Sequence, residues 1–132
     1  IQLCHIDAVP DNFLFVTGKD GSEEIKLTDW EYAGMQDPHL DVAMFIIYAM
    51  YDRDSAEKLI DLYFSDGCDK ATRLKIYCYI AVSGLVWSNW CEFKRHCGVE
   101  FGAYAQRQYD YAREYTKIFF KEYREAFGRD YV

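Results

Sequence analysis

About half of the 132 residues are apolar, 28% are charged and the formal net charge is −7. That composition supports one buried core and one domain's worth of protein, while the acid excess, unbroken by any basic stripe, argues against a nucleic-acid partner. The longest apolar runs, 42–51 and 76–87, fall short of the ~18 residues of a membrane span, and five cysteines without Cys-x-x-Cys spacing read as reduced thiols of a cytoplasmic protein.

In chain order, the first informative segment is His5-Ile6-Asp7-Ala8-Val9-Pro10-Asp11-Asn12. It has the kinase spacing His-x-Asp-x-x-x-x-Asn, in which the Asp accepts the proton of an acceptor hydroxyl and the Asn lends its carbonyl oxygen to a metal ion. Phe13 to Val16, the turn-rich Gly18-Lys19-Asp20-Gly21-Ser22, and Glu24 to Thr28 then predict two strands joined by a hairpin. The second strand delivers Asp29, the further carboxylate that a Mg²⁺ ion on nucleotide phosphates requires. Glu31, just beyond, is expected to accept backbone donors within its loop, with a water-mediated metal contact or a substrate contact as the alternatives. His5 has two readings, a proton shuttle or a packed, hydrogen-bonded residue that fixes the loop, and the second is favoured.

Helical periodicity follows. A helix is predicted from about Pro38 to Tyr51, N-capped by Asp37, with Val42, Phe45, Ile46 and Ala49 on one face. Asp41 falls in its first turn, where a carboxylate suits the helix dipole. Further helices are predicted over Ser55–Phe64, ending at Ser65-Asp66-Gly67, over Lys70–His96, stopped by Gly98, and over Glu100–Phe127, the last with a stripe of Tyr104, Tyr111 and Tyr115. His39 and His96 have no second ligand at metal spacing and read as surface or capping residues. Trp87 and Trp90 lie three apart, and Phe101 and Tyr104 repeat that spacing. Such pairs are more often core than a cage for a cation, so spacing alone favours the core reading while leaving the cage open.

His5 to Asn12 together with Asp29-Trp30-Glu31-Tyr32-Ala33 resemble the two motifs of the aminoglycoside phosphotransferase and choline kinase superfamily, whose members are similar to the C-terminal lobe of protein kinases. Asp29 to Ala33 running on to Asp41-Val42-Ala43 resembles the choline/ethanolamine kinase signature within it. Gly84-Leu85-Val86-Trp87-Ser88-Asn89-Trp90 is similar to that family's paired-tryptophan helix, and Phe101-Gly102-Ala103-Tyr104-Ala105-Gln106 to the segment after it.

The resemblance implies a mainly α fold, α+β overall: the C-terminal lobe of a kinase-like domain, with a catalytic-loop hairpin (1–36) packed on a helical, substrate-binding part (37–132) of about four helices. It implies ATP as co-substrate, Mg²⁺ held by Asn12 and Asp29, Asp7 as the catalytic base, His5 and Asp41 as supports, and a small cationic alcohol, foremost choline, held by Trp87, Trp90, Phe101, Tyr104 and Glu31. Ethanolamine, thiamine or an aminoglycoside are the alternative acceptors, and a non-catalytic cation- or protein-binding module is the alternative class. The phosphate-covering lobe is expected to lie in a longer chain, so that the present segment alone is expected to be inactive and to self-associate through apolar surface that lobe would cover.

Overall fold

The computed structural model describes residues 1–128. Its core lies among the helices. Helix α1 (His39–Tyr48) buries Val42, Ala43, Met44, Ile46 and Ile47. Helix α2 (Arg53–Tyr63) adds Ala56 and Ile60, and the long helices α3 (Lys70–His96) and α4 (Ala103–Phe127) add Leu74, Ile76, Tyr77 and Ile80, and Tyr111 and Tyr115. The fold is mainly α, with four helices among the described residues and two small antiparallel sheets.

Helix α3 and helix α4 pack closely at one point. A Cβ on Gly84 would stand 2.7 Å from the Gln108 carbonyl oxygen and 2.9 Å from Tyr111 Cβ, so only glycine lets the backbones approach there. Helix α4 also completes the end of α1: Gln108 Nε2 donates to the Ile47 carbonyl at 2.9 Å, and Arg107 and the Tyr111 hydroxyl both donate to the Tyr51 carbonyl. The Ile47 carbonyl belongs to the last turn of α1, where helices leave acceptors open, and the Tyr51 carbonyl to the segment just beyond it.

The predicted hairpin is β2 (Phe13–Thr17) against β3 (Glu23–Leu27), with Phe15 opposite Ile25. A short 3-10 turn, Pro10–Asn12, leads into it. A second ladder, β1 (Gln2–Cys4) with β4 (Gly34–Gln36), is absent from the sequence reading; it joins Gln2 to Gln36, and three-residue strands carry no periodicity to detect. Leu3, Phe15, Ile25 and Met35 of these ladders are exposed.

Helix α3 begins and ends where the sequence places it, whereas other boundaries differ. Helix α1 starts one residue after Pro38 and stops at Tyr48, with Met50 at φ +52° beyond it. Asp37 still accepts the His39 N–H at 3.0 Å, as a capping side chain does. Its buried positions span more than the expected face: Ala43, Met44 and Ile47 are inside, whereas Phe45 and Ala49 are half-buried, because α1 is covered on several sides. Helix α2 opens two residues earlier than Ser55, since Asp52 accepts the Ser55 N–H as its N-cap. Helix α4 opens at Ala103, after Gly102 at φ +53°. His39 is not a surface residue; its ring packs edge-on against Phe64 with centroids 5.2 Å apart.

Candidate active site

The loop that carries Asp7 is held in a conformation its own residues disfavour. Ile6 sits at φ +70°, a left-handed conformation that costs a β-branched residue free energy and persists only where the surroundings enforce it. Asp41 does so: its Oδ2 accepts the His5 N–H and its Oδ1 the Ile6 N–H, both at 2.8 Å. On the far side of Asp7, its carbonyl accepts the Val9 N–H at 2.8 Å and Asn12 Nδ2 at 3.0 Å. The backbone of Asp7 is thereby fixed from both directions.

His5 is 2% exposed, with Nε2 2.7 Å from the Thr28 carbonyl and its ring edge-on to Trp30 at 4.7 Å. A carbonyl only accepts, so Nε2 carries the proton. The ring ties the loop to the end of β3 and does not line the cavity beside Asp7. Thr28 in turn donates its N–H to the Asn12 carbonyl at 3.0 Å, which sets Asp29 beside the Asn12 backbone at the base of the hairpin. Asp29 has φ +63°, a left-handed conformation that Asp tolerates better than most residues.

Asp7 opens into a cavity of about 780 Å³. Trp87 and Trp90 of α3, Phe101 of the α3–α4 connection and Tyr104 of α4 line it, with Tyr48 of α1 and Tyr32 of the loop after β3. Five of these rings form a continuous row: Tyr48 to Trp87 is 5.7 Å between centroids, Trp87 to Trp90 5.5 Å, Trp90 to Phe101 5.3 Å and Phe101 to Tyr104 6.4 Å. Asp7, Asp11 and Glu31 supply carboxylates to the same lining, and none of its described residues is basic. The cavity therefore presents ring faces and negative charge, which attract a cation and offer an apolar one good contact.

The structure thus brings Asp7, Glu31, Trp87, Trp90, Phe101 and Tyr104 around one space, while Asn12 and Asp29 lie outside its lining, at the base of the hairpin where Thr28 bonds the Asn12 carbonyl, and His5 and Asp41 hold the loop from other sides. Glu31 is exposed, and its carboxylate accepts no hydrogen bond among the described residues, contrary to the backbone-accepting role expected of it. Asn12 donates its amide to the Asp7 carbonyl, so its side-chain oxygen could serve as a hard ligand, and the Asp29 carboxylate could be a second. No group of three or more His, Cys, Asp and Glu side chains gathers at metal-ligand spacing among the described residues. A pair of oxygen ligands suits Mg²⁺, which retains waters and takes its remaining ligands from phosphates.

Tyr48 is the residue the sequence reading passed over. Its hydroxyl donates to Asp7 Oδ1 at 2.9 Å. Burial first, and then that hydrogen bond and the charge of Asp7, push its phenol far above the usual tyrosine range, so the hydroxyl keeps its proton. Burial acts the same way on Tyr104. The available signal was spacing: Tyr48 lies seven residues after Asp41, two helical turns along α1.

Most of the chain is similar to known proteins. Residues 1–77 match the phosphotransferase enzyme family, APH. Protein LicA of Haemophilus influenzae (strain ATCC 51907 / DSM 11121 / KW20 / Rd) is 30% identical over 124 residues, covering 85% of this chain and 42% of that protein. The crystal structure of choline kinase LicA from Streptococcus pneumoniae is 30% identical with a TM-score of 0.64, over 88% of this chain and 40% of the other. A choline/ethanolamine kinase family protein from Mesorhizobium loti is 27% identical with a TM-score of 0.70, over 87% and 39%. A LicA structure in complex with AMP is 30% identical with a TM-score of 0.65, over 89% and 39%. This chain spans about two fifths of the length of these relatives. It belongs to the phosphotransferase enzyme family, and its neighbours there are choline and choline/ethanolamine kinases.

Proposed function

We propose that this chain is the substrate-side lobe of an ATP-dependent kinase whose acceptor is choline. The observation that carries the reading is the row of five rings that ends at the carboxylate of Asp7 inside one cavity. A trimethylammonium donates no hydrogen bond, so ring faces and nearby carboxylates are what bind it. Trp87, Trp90, Phe101 and Tyr104 surround the cation, and Glu31 and Asp11 add negative charge at the rim. The hydroxyl, two carbons away, then reaches Asp7.

Asp7 takes the hydroxyl proton as the choline oxygen bonds to the γ-phosphorus, the bond from that phosphorus to the β–γ bridging oxygen breaks, and ADP leaves with its electron pair. Asn12 and Asp29 would hold Mg²⁺, which when bound neutralises charge on the nucleotide phosphates. The elements that cover the phosphates belong, on this reading, to the part of a longer protein corresponding to the remainder of the relatives. The exposed apolar side chains Leu14, Phe15, Val16 and Ile25 of the hairpin are in keeping with a neighbouring lobe there. Residues 1–36 then form the catalytic and metal-binding unit and 37–132 the substrate-binding unit, and the isolated segment is inactive.

The test is turnover of a panel of alcohols by the full-length protein with labelled ATP. Choline is expected to be preferred over ethanolamine, thiamine and aminoglycosides, and Asp7→Asn to lower kcat by about a thousandfold or more without changing the melting temperature. Preference for a polycationic sugar, or undiminished turnover in Asp7→Asn, overturns the proposal. A protein that binds choline with no turnover under any condition would instead be a cation-binding module.

A further inference from the structure

We infer that Tyr48 is the positioning residue for Asp7: its hydroxyl holds one oxygen of the carboxylate so that the other faces the acceptor alcohol. This rests on the kinase reading above and extends it to a group with no counterpart in the sequence motifs.

Three observations carry it. The first is the donor geometry, Tyr48 hydroxyl to Asp7 Oδ1 at 2.9 Å, with both residues lining the same cavity. An aspartate side chain on a loop samples several staggered χ1 rotamers as well as a broad terminal torsion, and a single strong donor selects one orientation. The second is the origin of the two grips on this loop. Asp41 at the start of α1 holds the His5 and Ile6 amides, and Tyr48, two turns further along the same helix, holds the Asp7 side chain. One rigid element fixes both the backbone and the carboxylate of the base, and the C-terminal end of that element is itself bonded to α4. The third is that the Tyr48 ring lies 5.7 Å from that of Trp87, the first ring of the cation row. Tyr48 is therefore the side chain that links the row of rings to the base.

The hydroxyl stays protonated and donates throughout; it takes no proton from the alcohol, which passes its proton to Asp7. Its burial and its bond to Asp7 both oppose ionisation. Removing it leaves the base chemically intact and rotationally free. The expected signature is thus a loss in kcat, with little change in how the substrate binds.

The experiment compares Tyr48→Phe with wild type in the full-length protein. The ring and its contact with Trp87 remain, so the choline KM and the calorimetric Kd are expected to stay within about twofold, while kcat falls by about tenfold to a hundredfold, the effect of one lost hydrogen bond to a charged group. Placing 4-aminophenylalanine at 48, which restores a donor, is expected to recover most of the loss. A kcat within twofold of wild type in Tyr48→Phe, or a fall matched by an equal rise in KM, overturns the inference and leaves Tyr48 as a cage wall only. A second readout is independent of catalysis: scalar couplings across the Asp7 side chain are expected to report one rotamer in wild type and averaging in Tyr48→Phe. An unchanged rotamer in the variant overturns the inference even if the protein turns over choline. Failure to phosphorylate any alcohol, with the rotamer change present, would instead overturn the kinase reading alone.

Discussion

Asp7 and the aromatic row face one another across one cavity, yet they are held by different kinds of force. The loop is fixed by short directional bonds: Asp41 to two amides, Asn12 to the Asp7 carbonyl and Tyr48 to its carboxylate. The rings are fixed by packing against one another and by the close crossing of α3 and α4 at Gly84. On the proposed reading the difference suits what each wall would do. A proton acceptor has to be placed to within a fraction of an ångström, and directional bonds do that. A cation over a ring tolerates sliding, because the attraction is soft in distance and angle, so packing suffices.

The comparison breaks most visibly at Asp41. Asp41→Ala leaves the His5 and Ile6 amides without their acceptor while Ile6 remains at φ +70°, and is expected to cost about 2–4 kcal/mol in urea unfolding and to speed amide exchange at both positions. Unaltered exchange there would show that the loop holds its shape without α1. Gly84→Ala attacks the other wall. With its Cβ at 2.7 Å from the Gln108 carbonyl oxygen, it forces α3 from α4 and is expected to cost about 1–3 kcal/mol while leaving the amides of His5 and Ile6 protected.

Smaller effects sharpen the contrast. Trp87→Leu retains apolar bulk and removes a ring face, so choline Kd is expected to weaken by roughly tenfold in titration calorimetry, in line with about 1–2 kcal/mol for a desolvated cation over a ring. A kcat loss at saturating choline larger than the Kd change would show that the rings also place the hydroxyl. The least effect concerns Asp37. Burial raises its pKa, but the hydrogen bond from Lys75, the His39 N–H and the Lys75 charge outweigh that and bring it to about 2, against 3.8 for a free carboxyl. A carboxyl depressed on folding stabilises the fold above the unfolded value and loses that contribution as pH falls, here between about 4 and 2. The pair is partly exposed, so the component is expected to be under about 1 kcal/mol and to vanish from the acid unfolding curve of Asp37→Asn.

Much of this architecture is legible in the sequence because local rules govern it. Asp69 with Thr72 opens α3 by capping, Gly98 at φ +85° closes it, and the i, i+3 spacing of Trp87 and Trp90 puts two rings on one face. The hairpin follows from its turn residues and from alternation. What is not legible is non-local or contrary to local preference. No pattern in Gln2-Leu3-Cys4 announces its pairing with Gly34–Gln36. Ile6 and Asp29 adopt positive φ where glycine would be the expected residue, and at Ile6 the partner that holds it, Asp41, is distant in sequence. Tyr48 reads as one more apolar position of α1, and only folding reveals that it stands 41 residues from the carboxylate it meets. The start of α2 was within reach, as Asp52 and Ser55 form an ordinary cap.

The bonds from α4 to the end of α1 bear on the loop of Asp7. Tyr48 is the last residue of α1, a place where helices ordinarily fray and side chains wander on fast timescales. Gln108 holds the Ile47 carbonyl just before it, and Arg107 and Tyr111 hold the Tyr51 carbonyl three residues after it, so that final turn is tied to α4. Gln108 does not line the cavity, yet through Ile47 and Tyr48 it is one step removed from the carboxylate of Asp7, so on the proposed reading a lesion there would disturb the aim of that group.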